Sequence, residues 1–107
     1  MELNIIVDGQ DVAAQIIGHL GDEPAEQFAQ KMQPLLDNAG KTITVYCSRL
    51  EAFSSAGLRF FMSLHKEAFE KGGRVIFRNL SENLRQELDE TGFSSMFEFA
   101  TDPVEKD

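Results

Sequence analysis

Residues 51–64, EAFSSAGLRFFMSL, mark the point where a strand pattern gives way to a helix pattern. Upstream, residues 42–47 alternate polar and apolar side chains and are rich in β-branched residues, which is typical of a strand with one buried face. Downstream, apolar residues recur at three- and four-residue steps until a glycine pair at 72–73 supplies a stop. The apolar positions of this predicted helix are Leu58, Phe61, Met62, His65, Ala68 and Phe69.

The two serines at 54–55 are predicted to open this helix. Ser54 is the better N-cap candidate, because its hydroxyl can accept a hydrogen bond from an unpaired N–H of the first turn. Ser55 would then lie inside that turn, where Ala56 and Gly57 are too small to screen it from a kinase. The positive end of the helix dipole could stabilise a phosphate there. Serines before a helix are usually only caps, so the pair alone does not establish regulation.

Composition limits the possible functions. The 107 residues, of which 42% are hydrophobic, are enough for one ordinary core; we expect a domain at 1–100 followed by a polar tail at 101–107. The net charge of −8 disfavours nucleic acid and anionic lipid as partners. The single cysteine, Cys47, is predicted to be buried in the core of a protein from a reducing compartment. With no membrane-span or signal-peptide pattern, a cytoplasmic location is expected.

The segments on either side supply further strands and helices. Residues 3–7 and 12–17 form a predicted antiparallel hairpin, and a helix is expected to begin at 22–24 and close at 38–40. Pro34 should kink that helix or end it early, because proline removes one backbone hydrogen bond. A buried strand is predicted near 74–77.

The last third of the chain predicts one more helix and one more strand. Ser81 can cap the helix, and Gly92 is expected to end it in the left-handed conformation, with Phe93 touching Leu88. A final strand is expected at 96–99. The resulting order, β-β-α-β-α-β-α-β, predicts an α/β domain with a mixed sheet of four to five strands and three helices. The helices could lie on one face of the sheet or on both, and the pattern leaves both arrangements open.

Enzymatic machinery is not evident in the sequence. His19 is expected to be exposed and His65 packed, and neither has a neighbour at metal-ligand or triad spacing. The serine pair lacks the Gly-x-Ser-x-Gly pattern of a nucleophile elbow, and no phosphate-binding glycine loop is present. We therefore expect neither catalysis nor a metal ion or other cofactor.

The segment FSSAGLRFFMSL, set between TVYCSRL and a helix ending in two glycines, resembles the signature of STAS-domain anti-sigma factor antagonists. Residues 16–20, 74–79 and 88–93 resemble other segments of that family. The resemblance identifies Ser55 as the position of the family's regulatory phosphoserine. The chain departs from the family pattern in having Tyr46 where an aspartate is common and Gly21 where an acidic residue is expected.

The resemblance implies a partner switch in which the unmodified protein binds an anti-sigma factor, usually a serine kinase, and frees a sigma factor. Phosphorylation of Ser55 would prevent binding, and a phosphatase would restore it.

Phe60 could be partly exposed to the partner or packed against a neighbouring loop. Two alternatives remain: a STAS subunit of a membrane transport complex with a constitutive docking surface, and a small hydrolase using Ser55. The implied docking surface comprises Ser54, Ser55, Gly57, Leu58, Arg59 and Phe60 with the adjacent loop residues Gly21, Asp22 and Glu23.

Overall fold

The strand predicted from residues 42–47 lies in the middle of a mixed sheet, in a computed structural model that describes residues 1–92 and 94–101. The α/β class and the three helices are as predicted. A short 3₁₀ turn at Ser94–Met96 precedes the last strand. The strands are β1 (Glu2–Asp8), β2 (Asp11–Leu20), β3 (Thr42–Tyr46), β4 (Leu50–Phe53), β5 (Arg74–Arg78) and β6 (Glu98–Ala100), and the helices are α1 (Ala25–Asp37), α2 (Ser55–Lys71) and α3 (Glu82–Thr91).

The sheet has the strand order β1-β2-β3-β5-β6, and β4 pairs with β2 outside this path. The predicted hairpin is confirmed, since β1 and β2 are antiparallel with Val7 opposite Val12. The remaining pairs are parallel. In such a sheet the carboxyl ends of β2 and β4 lie at one edge, and the helices that follow them begin there.

Strand β4 was not predicted, so the expected number of four to five strands is wrong: the described residues form six. Its four residues pair with only the last part of β2, from Leu50 opposite Gly18 to Phe53 opposite Leu20. Glu51 and Ala52 have low strand propensity. The strand therefore depends on a pairing partner about 30 residues away, which local pattern does not reveal.

The three helices cover one face of the sheet, which settles the question that the sequence left open. In β3, Ile43 and Val45 are fully buried, whereas Thr42, Thr44 and Tyr46 on the other face are half-buried. The same alternation holds in the neighbouring strands, whose buried residues all face the helices. The fold is therefore a two-layer sandwich, in which each strand carries apolar residues at every second position.

An aromatic cluster fills the space between the layers. Phe61 of α2 packs edge-to-face on Phe77 of β5, with ring centroids 4.7 Å apart, and Phe77 in turn contacts Phe97 at 5.2 Å. Cys47 is buried beside β3, as predicted, and burial raises the pKa of its thiol to about 12. The thiol is therefore uncharged at neutral pH, and Cys47 acts as a small apolar core residue.

Helix α1 continues past Pro34 to Asp37 and is capped by Asn38, so the expected end at 38–40 is confirmed, and an early end at Pro34, one of the two expected effects of the proline, is wrong. Met32 and Leu35, on either side of the proline, are fully buried and hold both parts of the helix on the core. The side-chain amide of Asn38 donates to the Pro34 carbonyl oxygen at 2.8 Å. Tertiary packing thus outweighs the loss of a single backbone hydrogen bond.

The predicted ends of α3 are confirmed. The Ser81 hydroxyl accepts a hydrogen bond from the Leu84 N–H at 3.2 Å, and Gly92 is left-handed with φ of 80°. The expected contact between Phe93 and Leu88 lies outside the described residues, as does the tail from 102 onward. The last strand begins at Glu98 and not at residue 96, because the 3₁₀ turn occupies Ser94–Met96. None of the described helices combines the length and apolar character needed to cross a bilayer.

Candidate functional site

The register between β2 and β4 brings the two halves of the predicted docking surface together. Leu20 is the last residue of β2 and lies opposite Phe53, the last residue of β4. The residues that follow, Gly21 and Ser54, are therefore neighbours across the edge of the sheet. The Ser54 N–H donates to the Leu20 carbonyl oxygen at 2.9 Å. The unpredicted strand β4 is thus the element that aligns the start of α2 with the loop before α1.

Ser54 joins these two segments through its side chain. Its hydroxyl accepts a hydrogen bond from the Gly57 N–H at 3.2 Å, which confirms the predicted N-cap. The same hydroxyl donates to the Gly21 carbonyl oxygen at 3.0 Å. The Ser54 hydroxyl is therefore engaged inside the protein both as a hydrogen-bond donor and as an acceptor.

Two glycines allow the segments to approach closely. Gly21 has φ of +92°, and a Cβ built on it would lie 2.2 Å from Ser54 Oγ and 2.5 Å from the Gly57 nitrogen. A Cβ on Gly57 would lie 2.7 Å from the Leu20 carbonyl oxygen. Gly57 is accordingly buried, and the lack of a Cβ at both positions lets the loop lie directly against the first turn of α2.

We expect Ser54→Ala to lower the free energy of unfolding by about 1 to 2 kcal/mol, because it removes the cap and the bond to Gly21 together. Urea denaturation would measure the change. Ser81→Ala is the matched control, since Ser81 makes the corresponding cap in α3 and should cost only the cap, about 1 kcal/mol. Equal losses for the two variants would mean that the bond between Ser54 and Gly21 adds nothing to stability.

Ser55 is the first residue of α2 and is exposed to solvent. Within the described ranges its hydroxyl has no hydrogen-bond partner, in contrast to that of Ser54. It lies in a shallow groove of about 290 Å³ between the start of α2 and the end of α3. The groove is lined by Phe53, Ser54, Ser55, Leu58, Glu87, Glu90 and Thr91.

The remaining predicted contact residues divide into accessible and buried ones. Leu58 is half-buried and Arg59 is exposed. Asp22 retains 62% of its side-chain exposure and lies 3.5 Å from His19 Nδ1. Phe60 is only 8% exposed and packs edge-to-face on Phe28 of α1, at 5.8 Å between ring centroids. The expectation that Phe60 could be partly exposed is therefore wrong; it packs against a helix and not a loop.

Glu23 is largely buried beneath the loop, with 14% of its side chain exposed. Its carboxylate lies 3.2 Å from the Lys31 ammonium. Burial by itself would raise the pKa of Glu23, but hydrogen bonds, including the one from Lys31, outweigh this effect and lower it. Glu23 therefore remains charged at neutral pH and anchors the loop to α1.

Sequence reasoning missed the acidic wall of the groove. Glu87 and Glu90 were interpreted as dispersed surface charges, yet α3 places both beside Ser55. Their three-residue spacing on one helix does predict a shared face, but which element that face meets follows only from the tertiary structure. Over residues 1–92 and 94–101, no group of three or more His, Cys, Asp or Glu is arranged to hold a metal ion.

Comparison with known proteins supports this arrangement of elements. Residues 6–98 match a family model described as "Mlab, STAS domain". A candidate anti-sigma factor antagonist, BtrV of Bordetella bronchiseptica, is 27% identical over 94 residues, covering 88% of this chain and 80% of BtrV.

Solved structures of related proteins have the same fold. A candidate anti-sigma factor antagonist from Thermotoga maritima superposes with a TM-score of 0.77 at 18% identity, covering 95% of this chain and 87% of the other. The anti-sigma factor antagonist SpoIIAA in its unphosphorylated form gives a TM-score of 0.70 at 21% identity, with coverage of 96% and 90%. The phosphorylated form of SpoIIAA, from Bacillus, gives 0.68 at 20%, with coverage of 94% and 93%.

The two-layer fold is the one found in these solved structures of anti-sigma factor antagonists. Because the family model matches most of its length, this chain belongs to the STAS domain family.

Proposed function

We propose that this protein is an anti-sigma factor antagonist whose binding to a kinase-type anti-sigma factor is switched off by phosphorylation of Ser55. The observation that supports the switch is the exposed hydroxyl of Ser55 at the first position of α2, which has no hydrogen-bond partner among the residues that the structure describes. A related chain is described as a candidate anti-sigma factor antagonist, and SpoIIAA is known in unphosphorylated and phosphorylated forms. The protein would act in the cytoplasm, without catalytic activity of its own, and would regulate transcription through its partner.

The two adjacent serines give this proposal a sharp test. The protein is incubated with ATP and the cognate anti-sigma kinase, and tandem mass spectrometry locates the phosphate. We expect phosphate on Ser55, no incorporation into Ser55→Ala, and incorporation retained in Ser54→Ala, because the Ser54 hydroxyl is engaged by Gly57 and Gly21. Phosphate on another residue, or full incorporation into Ser55→Ala, would contradict the assignment. A phosphatase that restores binding would complete the cycle.

A second candidate is a STAS subunit of a membrane transport complex, and the match to the family model described as "Mlab, STAS domain" fits either candidate. In that case the same surface would bind its partner constitutively. The protein should then be recovered with the membrane fraction, and binding should not depend on the charge at Ser55. The two candidates therefore make opposite predictions for Ser55→Asp.

The hydrolase alternative has little support. The described residues that line the groove around Ser55 include no histidine or lysine that could take its proton. The titratable side chains that line this groove are the carboxylates of Glu87 and Glu90, and without a histidine they do not make a Ser-His-acid triad with Ser55. A fluorophosphonate probe is expected to leave Ser55 unlabelled.

A further inference from the structure

Helix α2 has two apolar faces, of which the second is only partly covered by described residues. The face toward the core consists of Gly57, Phe60, Phe61, Leu64 and Ala68. The second face carries Met62, His65 and Phe69, which the sequence pattern assigned to the buried stripe. On that second face Met62 packs against the edge of the core and His65 lies edge-to-face on Phe97, at 5.8 Å between ring centroids. Phe69, by contrast, is 80% exposed, so its assignment as a core residue is wrong.

This partly covered face forms a shallow groove, which we call the α2 groove. Its volume is about 500 Å³. Met96 of the 3₁₀ turn forms the opposite side and is itself 37% exposed. A contiguous apolar surface of this kind commonly marks a protein interaction site. The groove is lined by Met62, Ser63, His65, Lys66, Phe69 and Met96.

The groove continues the surface proposed for the switch. Ser55, Met62 and Phe69 are spaced by seven residues, so they lie along one line of the helix, and Ser55 and Phe69 are about 21 Å apart along its axis. Arg59 and Lys66 are exposed on the same line. A partner that covers Ser55 and extends along α2 therefore reaches the α2 groove without crossing a gap.

Charge indicates which surface fits there. The chain has 18 acidic and 10 basic residues, yet among the described residues that line the groove the only permanently charged side chain is the cationic Lys66. Within the described ranges, neither Lys66 nor Arg59 forms an ion pair. Glu87 and Glu90 lie farther along, at the Ser55 end, and Glu70 lies just beyond Phe69. The local imbalance over the groove favours a partner with carboxylates.

We propose that the α2 groove docks an amphipathic helix of the partner, with apolar side chains on Met62, Phe69 and Met96 and carboxylates facing Lys66 and Arg59. A partner helix with apolar residues one heptad apart matches the spacing of Met62 and Phe69, about 10.5 Å. The proposal rests on the proposed function only in taking this helix to belong to the anti-sigma factor. It also explains the direction of the switch, because a phosphate on Ser55 repels an acidic helix along the same line.

The test uses the full chain and two synthetic 21-residue helical peptides with the same leucine heptad seam. One peptide carries glutamates beside the seam and the other lysines. We expect the acidic peptide to shift the NMR methyl signals of Met62 and Met96 and to bind at least about tenfold more tightly than the basic one. Phe69→Ser should reduce binding about tenfold or more, and Lys66→Glu should remove the preference for the acidic peptide. Ile6→Ser is the matched control, since Ile6 is 70% exposed on the opposite face of the sheet and should have no effect.

Several results would overturn the proposal. These are no binding of either peptide, equal affinity for both, or shifts outside the groove. Concentration-dependent shifts of Met62 and Met96 without peptide would mean that a second copy occupies the groove. If removing residues 102–107 shifts the signals of Met62 and Met96, the carboxyl-terminal residues of the chain itself occupy the groove.

Binding of two variants to the cognate anti-sigma factor tests the groove proposal and the phosphorylation switch independently. If Ser55→Asp weakens that complex and Phe69→Ser does not, the groove proposal fails and the switch stands. If only Phe69→Ser weakens it, the switch fails and the groove proposal stands.

Discussion

Ser55→Asp is expected to weaken the complex with the anti-sigma factor by at least about tenfold, or about 1.4 kcal/mol, whereas Ser55→Ala should leave it nearly unchanged. The hydroxyl has no partner inside the described protein, so its removal breaks no internal bond. A carboxylate at this position must lose its hydration when the partner covers it, and an unpaired charge in an interface is costly. Isothermal titration calorimetry with the purified partner would measure both affinities.

Genuine phosphorylation should have a larger effect than the aspartate. A phosphate carries about −1.5 to −2 charges at neutral pH and holds more water than a carboxylate. On the free protein the amino-terminal end of α2 favours this charge, and Arg59, one turn away, can approach it. Glu87 and Glu90 oppose it from α3. We therefore expect phosphorylation to reduce affinity by about a hundredfold or more, chiefly through the cost of burying the phosphate against the partner.

Gln10→Glu is the matched charge control. It changes the net charge by the same amount, but Gln10 is exposed in the hairpin turn at the other end of β2, about 30 Å from the site by strand length. It should leave the affinity unchanged. An equal loss in Gln10→Glu would attribute the effect to net charge, and an equal loss in Ser55→Ala would make the hydroxyl an ordinary contact and not a switch.

The features predicted correctly from the sequence are those with local causes. The caps at Ser54 and Ser81 and the glycine end at Gly92 depend on residues within one helical turn, so the chain itself carries the signal. The alternation in β3 likewise reflects a buried face. These local signals fixed the start of α2, which is the centre of the candidate site.

The wrong predictions share a non-local cause. Strand β4 exists because β2 extends far enough to pair with it. Phe60 is buried because α1 places Phe28 against it, 32 positions earlier in the chain. The apolar repeat of α2 continues as far as Phe69. Phe69 is nevertheless exposed, because it lies beyond the part of the helix surface that another element covers. Helical periodicity therefore identifies apolar faces but does not tell which of them another element covers.

Gly21→Ala is expected to lower the free energy of unfolding more than Ser54→Ala does. Its positive φ costs an alanine about 1 to 2 kcal/mol, and the new Cβ would lie 2.2 Å from Ser54 Oγ and 2.5 Å from the Gly57 nitrogen. One of these atoms must move, and the overpacking should add about 1 to 3 kcal/mol. Urea denaturation would give the total loss, and we also expect weaker partner binding, because the loop can no longer lie against α2.

Gly9→Ala is the matched control, because it measures the backbone cost of a positive φ without the overpacking cost. Gly9 also has a positive φ, of 61°, but no atom lies within 4 Å of the added Cβ. It should therefore lose only the backbone term and keep full partner affinity. If Gly21→Ala costs no more than Gly9→Ala, the contact between the loop and α2 adjusts easily, and the loop is then not held in place for docking. If Gly21→Ala is less stable but binds normally, the loop contributes to the fold and not to recognition, and the docking surface reduces to the start of α2 itself.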